Sequence, residues 1–230
     1  MLGILVELAL SWLILWIVEK KNLTVLGFSP SASRLKGLVL FFLIATACCL
    51  AEIFLRMQFF KEQYQVNPLL NFKLVWKGFL WNLISVLYEE LIFRGALLYI
   101  LIRRWGAKQG IIVSALAFGI YHWFSYNLLG NVAAMIYVFI ITAIMGLILA
   151  YAYAKTFSMY IAIGFHLGWN IMHGFVFSKG PIGDGVFMLA PRQPIITVSY
   201  FTYYTVTLLP IIIAFLSSYL LVRKWRRTQK

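Results

Sequence analysis

Long apolar runs separated by short polar punctuation dominate the chain. A run of about 18 or more apolar residues can cross roughly 30 Å of hydrocarbon as a helix. Seven stretches are candidates: residues 1–18, 36–57, 75–103, 109–125, 130–154, 158–177 and 198–222. The third is long enough to tilt or to project, and the fourth is short. No connecting stretch could fold as a separate soluble domain. The pattern therefore predicts an all-α, polytopic transmembrane helical bundle, one integral-membrane domain over 1–230. The loop 178–197, SKGPIGDGVFMLAPRQPIIT, is rich in Gly and Pro and is expected to lie over the outer mouth of the bundle.

Composition strengthens this reading. The chain is 63% hydrophobic and only 12% charged, with a mean hydropathy of +0.88. Soluble domains average about 45–50% apolar and about 25% charged. The net charge of +13 does not signal nucleic acid, because the Lys and Arg residues cluster at the ends of apolar runs, as topology determinants do. With seven spans, the N-terminus outside and the C-terminus inside, thirteen basic residues fall in inner segments and six in outer ones. Arg94 is left within a span, completing the 20 Lys and Arg. Lys20 and Lys21 follow the first apolar run and nothing basic precedes it, so the segment reads as a retained helix and not as a signal peptide. Cys48 and Cys49 are neighbours and read as packing residues, not as a disulfide scaffold.

Candidate chemistry begins at LYEELIFRGALLYIL, where Glu89, Glu90 and Arg94 interrupt the third run. A charged side chain near mid-membrane costs at least about 2.5–3.5 kcal/mol, so such groups pair or work. Glu90 and Arg94 are four apart, acid first, on one helix face, and are expected to pair. Glu89 is rotated by about 100° from Glu90 and about 140° from Arg94, so it needs another partner. An unpaired acid there could accept a proton from water. All three histidines lie in later apolar helices: His122 in AFGIYHW, and His166 and His173 in GFHLGWNIMH. Offsets of four and seven put His166, Asn170 and His173 on one stripe. Glu52 and Arg56, again four apart, are expected to pair. Tyr121, Trp123 and Trp169 flank the polar set and suit groove lining and core packing equally.

Taken together, EELIFR (89–94), FGIYH (118–122) and HLGWN (166–170) read EExxxR, FxxxH and HxxxN in order along the chain. This resembles the CPBP (Abi) family of intramembrane proteases, related to type II CAAX prenyl endopeptidases and bacteriocin-processing or immunity proteins. The resemblance covers the catalytic-motif core, residues 75–177; the flanking spans match only as generic membrane helices. It implies an intramembrane endopeptidase that hydrolyses a peptide bond of a membrane-associated or lipidated substrate. Glu89 and His122 would hold and activate the attacking water, His166 and Asn170 would stabilise the oxyanion, and Glu90 and Arg94 would support the site. The N-terminal part is one helix shorter than eight-span CAAX-processing members.

A glutamate and two histidines are adequate zinc ligands. The pattern is nevertheless not H-E-x-x-H, and asparagine is an unusual zinc ligand, so a metal-free, glutamate-activated water is preferred over a divalent metal such as zinc. The implied partners are the lipid bilayer and a peptide or protein substrate, either a prenylated tail or a leader peptide; no nucleic acid is expected. A prokaryotic plasma membrane is the expected location. The competing readings are an idle immunity or scaffold member of the family and, further off, a proton-coupled transporter.

Overall fold

The computed structural model describes residues 2–177 and 185–225. Eight α-helices follow in order: α1 (Leu2–Glu19), α2 (Ala32–Phe59), α3 (Phe72–Arg94), α4 (Ala96–Trp105), α5 (Ala107–Ser125), α6 (Val132–Thr156), α7 (Tyr160–Ile171) and α8 (Tyr200–Lys224). Helix α7 runs on into a π-helical turn, Met172–Val176. Polar residues at the loop junctions start four of the helices. Ser31, Asn71, Asn131 and Ser199 each accept a hydrogen bond from the backbone N–H three residues on, satisfying a donor the helix leaves free.

Four helices, α1, α2, α6 and α8, are long and apolar enough to cross a membrane. The remaining expected segments are also helical but carry the polar groups or are short. The stretch 75–103 is two helices and not one. At Gly95 the backbone leaves helical geometry (φ −84°, ψ −137°), and a Cβ there would overlap the Leu91 carbonyl. The Phe93 carbonyl instead accepts a hydrogen bond from Ser114 Oγ of α5 at 2.8 Å.

The basic linkers gather at one end of the bundle. Arg104, at the end of α4, bonds Glu19, at the end of α1, at 3.0 Å. Gly27 backs onto Phe157 and Ser158, and Gly37 onto the Trp225 ring. The loops after α1, α4, α6 and α8 thus share one face. Residues 226–230 of the basic tail lie outside the described residues, as do residues 178–184 of the Gly/Pro-rich loop.

At the opposite end the otherwise all-α fold carries a small two-stranded antiparallel sheet, β1 (Tyr64–Val66) with β2 (Phe187–Leu189), pairing Tyr64 with Leu189 and Val66 with Phe187. Phe177 stacks on Phe187 and meets Tyr64 edge-on, while Asn67 Nδ2 donates to the Gly185 carbonyl. Part of the Gly/Pro-rich loop is therefore pinned to the α2–α3 connection.

Two apolar cores hold the helices. Phe41, Leu149, Phe165, Ala214 and Phe215 pack α2, α6, α7 and α8 together. Leu15, Leu91, Leu98, Tyr153 and Met159 join α1, α3, α4 and α6. Apolar association gains little inside lipid, so close backbone approach carries much of the packing. Gly164 and Gly168, one turn apart on α7, lie directly against the Leu38 and Phe42 carbonyls of α2. Cys48 and Cys49 are both free thiols.

This seam predicts that Gly164→Ala, whose Cβ would overlap the α2 backbone, costs about 1–3 kcal/mol. Its melting temperature in detergent should fall well below that of Gly3→Ala, where a Cβ would meet only the Tyr88 ring at 3.3 Å.

Candidate active site

Three helices bring the polar motif residues to one place. The last turns of α3 carry Glu89, Glu90 and Arg94, the last turn of α5 carries His122, and the middle of α7 carries His166. All five are buried: Glu90 and Arg94 completely, Glu89 at 8%, His122 at 4% and His166 at 2% exposure. Asn170 sits one turn beyond His166 on α7 and is half-buried.

Glu90 holds the cluster together. Its Oε1 accepts from His166 Nδ1 at 2.8 Å and lies 3.3 Å from Arg94 Nη1. The expected pair with Arg94 is present, but the guanidinium makes no aligned hydrogen bond among the described residues. Its other support is an aromatic face, with Cζ 4.2 Å from the Phe118 ring centroid. The bond from Glu90 to His166 joins two motifs 76 residues apart, and nothing in the spacing of either motif foretells it.

Both histidines are oriented at Nδ1. In His122 that nitrogen donates to the Phe118 carbonyl at 2.7 Å; in His166 it donates to Glu90. A neutral ring so bonded presents Nε2 as a lone pair. The two Nε2 atoms converge on the same oxygen, Glu89 Oε2, at 3.9 Å from His122 and 3.7 Å from His166. These gaps are too long for hydrogen bonds and suit one small molecule held between three acceptors. Glu89, left without Arg94 by its helical phase, has its partners across the bundle.

Phe118 is the residue that sequence reasoning undervalued. Its carbonyl fixes the His122 tautomer, and its ring packs on His122 (centroids 4.5 Å apart), on His166 (5.8 Å) and beneath Arg94. Its place at the head of FxxxH was the available signal. Tyr121 and Tyr126 close the other sides of His122. Trp123 spends its indole N–H on the Met135 carbonyl of α6, and Trp169 packs with Phe165 and Phe215 in the apolar core.

His173 does not join the site. The π-helical turn carries it toward α2, where Nε2 lies 3.5 Å from Glu52 Oε2. Glu52 and Arg56 stand only 3.8 Å apart; Arg56 is bound at two points by Glu62, which also accepts from Tyr64. The expected helical pair is thus secondary to a loop carboxylate that helical periodicity could not select.

The donor types, one carboxylate and two imidazoles, suit zinc, but they stand slightly wider than a bound zinc would hold them. Zinc ligands at about 2.0–2.2 Å in a tetrahedron stand roughly 3.4 Å apart, whereas the Glu89 to histidine separations are 3.7 and 3.9 Å. Among the described residues no group of three His, Cys, Asp or Glu is disposed to hold a metal ion.

With both histidines neutral, Glu89, Glu90 and Arg94 leave one net negative charge, so one added proton neutralises the cluster. Removing Glu90 strands Arg94 in a fully buried position and frees His166. Glu90→Gln is expected to cost on the order of 3–5 kcal/mol and to lower the melting temperature in detergent more than Glu89→Gln does. Equal melting temperatures for the two variants would contradict the anchoring role of Glu90.

Comparison with known proteins completes the description. Residues 71–172 match the family model described as type II CAAX prenyl endopeptidase Rce1-like. No curated protein and no solved structure matches the chain. The matched region takes in Glu89, Glu90, Arg94, His122, His166 and Asn170, and the match supports assigning the chain to the CPBP/CAAX-type family.

Proposed function

We propose that the protein is an intramembrane endopeptidase that hydrolyses a peptide bond in a membrane-associated or lipidated peptide. One observation carries the reading: two histidine Nε2 atoms and one carboxylate oxygen face a common point inside the bundle. A water there donates one hydrogen bond to Glu89 Oε2 and one to His122 Nε2, leaving an oxygen lone pair free to attack. As that oxygen bonds to the scissile carbonyl carbon, its proton passes to Glu89, which returns it to the leaving nitrogen. Burial keeps bulk water away and strengthens each of these interactions.

His166 takes the other side of the reaction. Because Nδ1 is committed to Glu90, the ring donates from Nε2 only as imidazolium. The adjacent Glu90 carboxylate supports that charge, as a buried aspartate does for histidine in hydrolytic triads. Together with the Asn170 amide, one turn on, it supplies two donors to the developing oxyanion. Arg94, 3.3 Å from the same carboxylate, balances the Glu90 charge in this role. The family described by the matching model makes a prenylated tail the first peptide to test and a leader peptide the second.

The test uses purified protein with a farnesylated C-terminal peptide and a leader peptide as substrates. Glu89→Ala and His122→Ala are expected to abolish cleavage while inserting normally into membranes. Asn170→Ala is expected to lower kcat by about 10²–10³, the loss of one oxyanion donor. Unchanged turnover in Glu89→Ala would remove the peptidase reading.

A further inference from the structure

The interface of α3 with α7 carries polar atoms that the proposed reaction does not use. The two helices run antiparallel. Glu90 meets His166 at one end, and Gly174 of the π-helical turn backs onto Asn82 at the other, where a Cβ would stand 3.2 Å from Asn82 Oδ1. Eight residues of α3 separate these points, roughly 12 Å.

Asn82 is fully buried. Its Nδ2 donates to the Gly78 carbonyl at 2.8 Å, while Oδ1 has no hydrogen-bond partner among the described residues. Among the described residues, shielded His173 Nε2, 3.5 Å from Glu52 Oε2, and Glu89 Oε2, the base of the proposed reaction, likewise have no hydrogen-bond partner. On α3 the offsets of three and four place Asn82, Ser85 and Glu89 on one stripe; Asn170 lies one turn beyond His166 on α7, and His173 follows in the π-helical turn. Beyond His173, whose side chain is one-third exposed, Glu52, Arg56 and Glu62 extend the polar line toward the strand pair.

A buried amide oxygen left unpaired costs about 1–3 kcal/mol, and polar interior sites of this kind are satisfied by ordered water. We infer that the α3–α7 seam is a water-binding site, with waters seated on Asn82 Oδ1 and His173 Nε2 and leading from the strand-bearing end to Glu89. The supply role rests on the peptidase reading. Each turnover consumes one water, its OH joining the acyl carbon and its remaining proton the leaving nitrogen. The seam delivers the next one past apolar surroundings.

Radiolytic hydroxyl-radical footprinting of the full chain in detergent reads the site without any substrate. Phe175 is buried against Gly78, one turn from Asn82, and is expected to be hydroxylated. Phe41, buried in the apolar core, is expected to be spared. Asn82→Leu should remove the Phe175 signal. A wild-type Phe175 as silent as Phe41 overturns the inference, whether or not the protein cleaves anything.

For the supply role, Asn82→Leu is expected to lower kcat about tenfold at unchanged KM. Asn82→Ser, which keeps an acceptor and leaves room for water, should recover most of that rate. Wild-type kcat in Asn82→Leu overturns the supply role, and if that variant fails to fold, a Ser variant as slow as an inactive chain does the same. A labelled seam in a protein that cleaves neither peptide sinks the peptidase reading and leaves the water site standing.

Discussion

A single buried carboxylate, Glu90, ties the functional core together. Its Oε1 faces both the Arg94 guanidinium and the His166 ring, so one oxygen joins α3 to α7 and joins an ion pair to a tautomer. In a low-dielectric interior such a group is tolerable only with its charge balanced and a hydrogen bond made, which Oε1 achieves, although Oε2 has no hydrogen-bond partner among the described residues. Arg94 supplies the charge and His166 the hydrogen bond. Phe118 fills the space beneath the guanidinium, which would otherwise have no counterpart on that side. Everything nearby depends on this arrangement: the ring plane of His166, the direction of its Nε2, and hence the point at which Glu89 and His122 meet it.

The helices divide the labour that this core requires. Helices α1, α2, α6 and α8 are long and apolar, with large hydrophobic side chains such as Leu5, Phe54, Ile136 and Leu216 on their outer faces. They provide a surface suited to lipid, while α3, α5 and α7 supply the groups that lipid would not accept. The enclosure is close because α7 lies on α2 through glycine, backbone against side-chain-free backbone. That approach leaves the polar stripe of α7 turned toward α3, where the chemistry lies.

Two irregularities shape the site as much as the regular helices do. The break at Gly95 releases α4 in a new direction, so Arg103 and Arg104 reach the end of the bundle where Glu19 lies, while Arg94 stays buried. The π-helical turn at Met172–Val176 rotates His173 out of register with His166 and Asn170 and delivers it to Glu52. Such turns recur at functional sites because the extra residue redirects side chains without ending the helix. Here it separates one polar stripe into a catalytic end and a second cluster that meets the strand pair.

Local pattern was enough to find the helices, the grouping of basic linkers and the suspect residues. Hydrophobic runs report burial or lipid directly, and i,i+4 spacing is a property of one helix; Glu90 with Arg94 was legible for that reason. The pairing of Glu90 with His166, the shared focus of two histidines on Glu89, and the closer hold of Glu62 on Arg56, beside the expected Glu52, were not. Each joins separate elements, and a distance between helices is written nowhere in their spacing. The break at Gly95 and the strand pair were missed for a related reason, since a single glycine or a three-residue strand leaves too short a signal to override its flanks. The sequence by itself therefore determined which groups must avoid lipid; only the tertiary structure decided which of them face one another, because that choice is made by the packing of backbones that carry no charge at all.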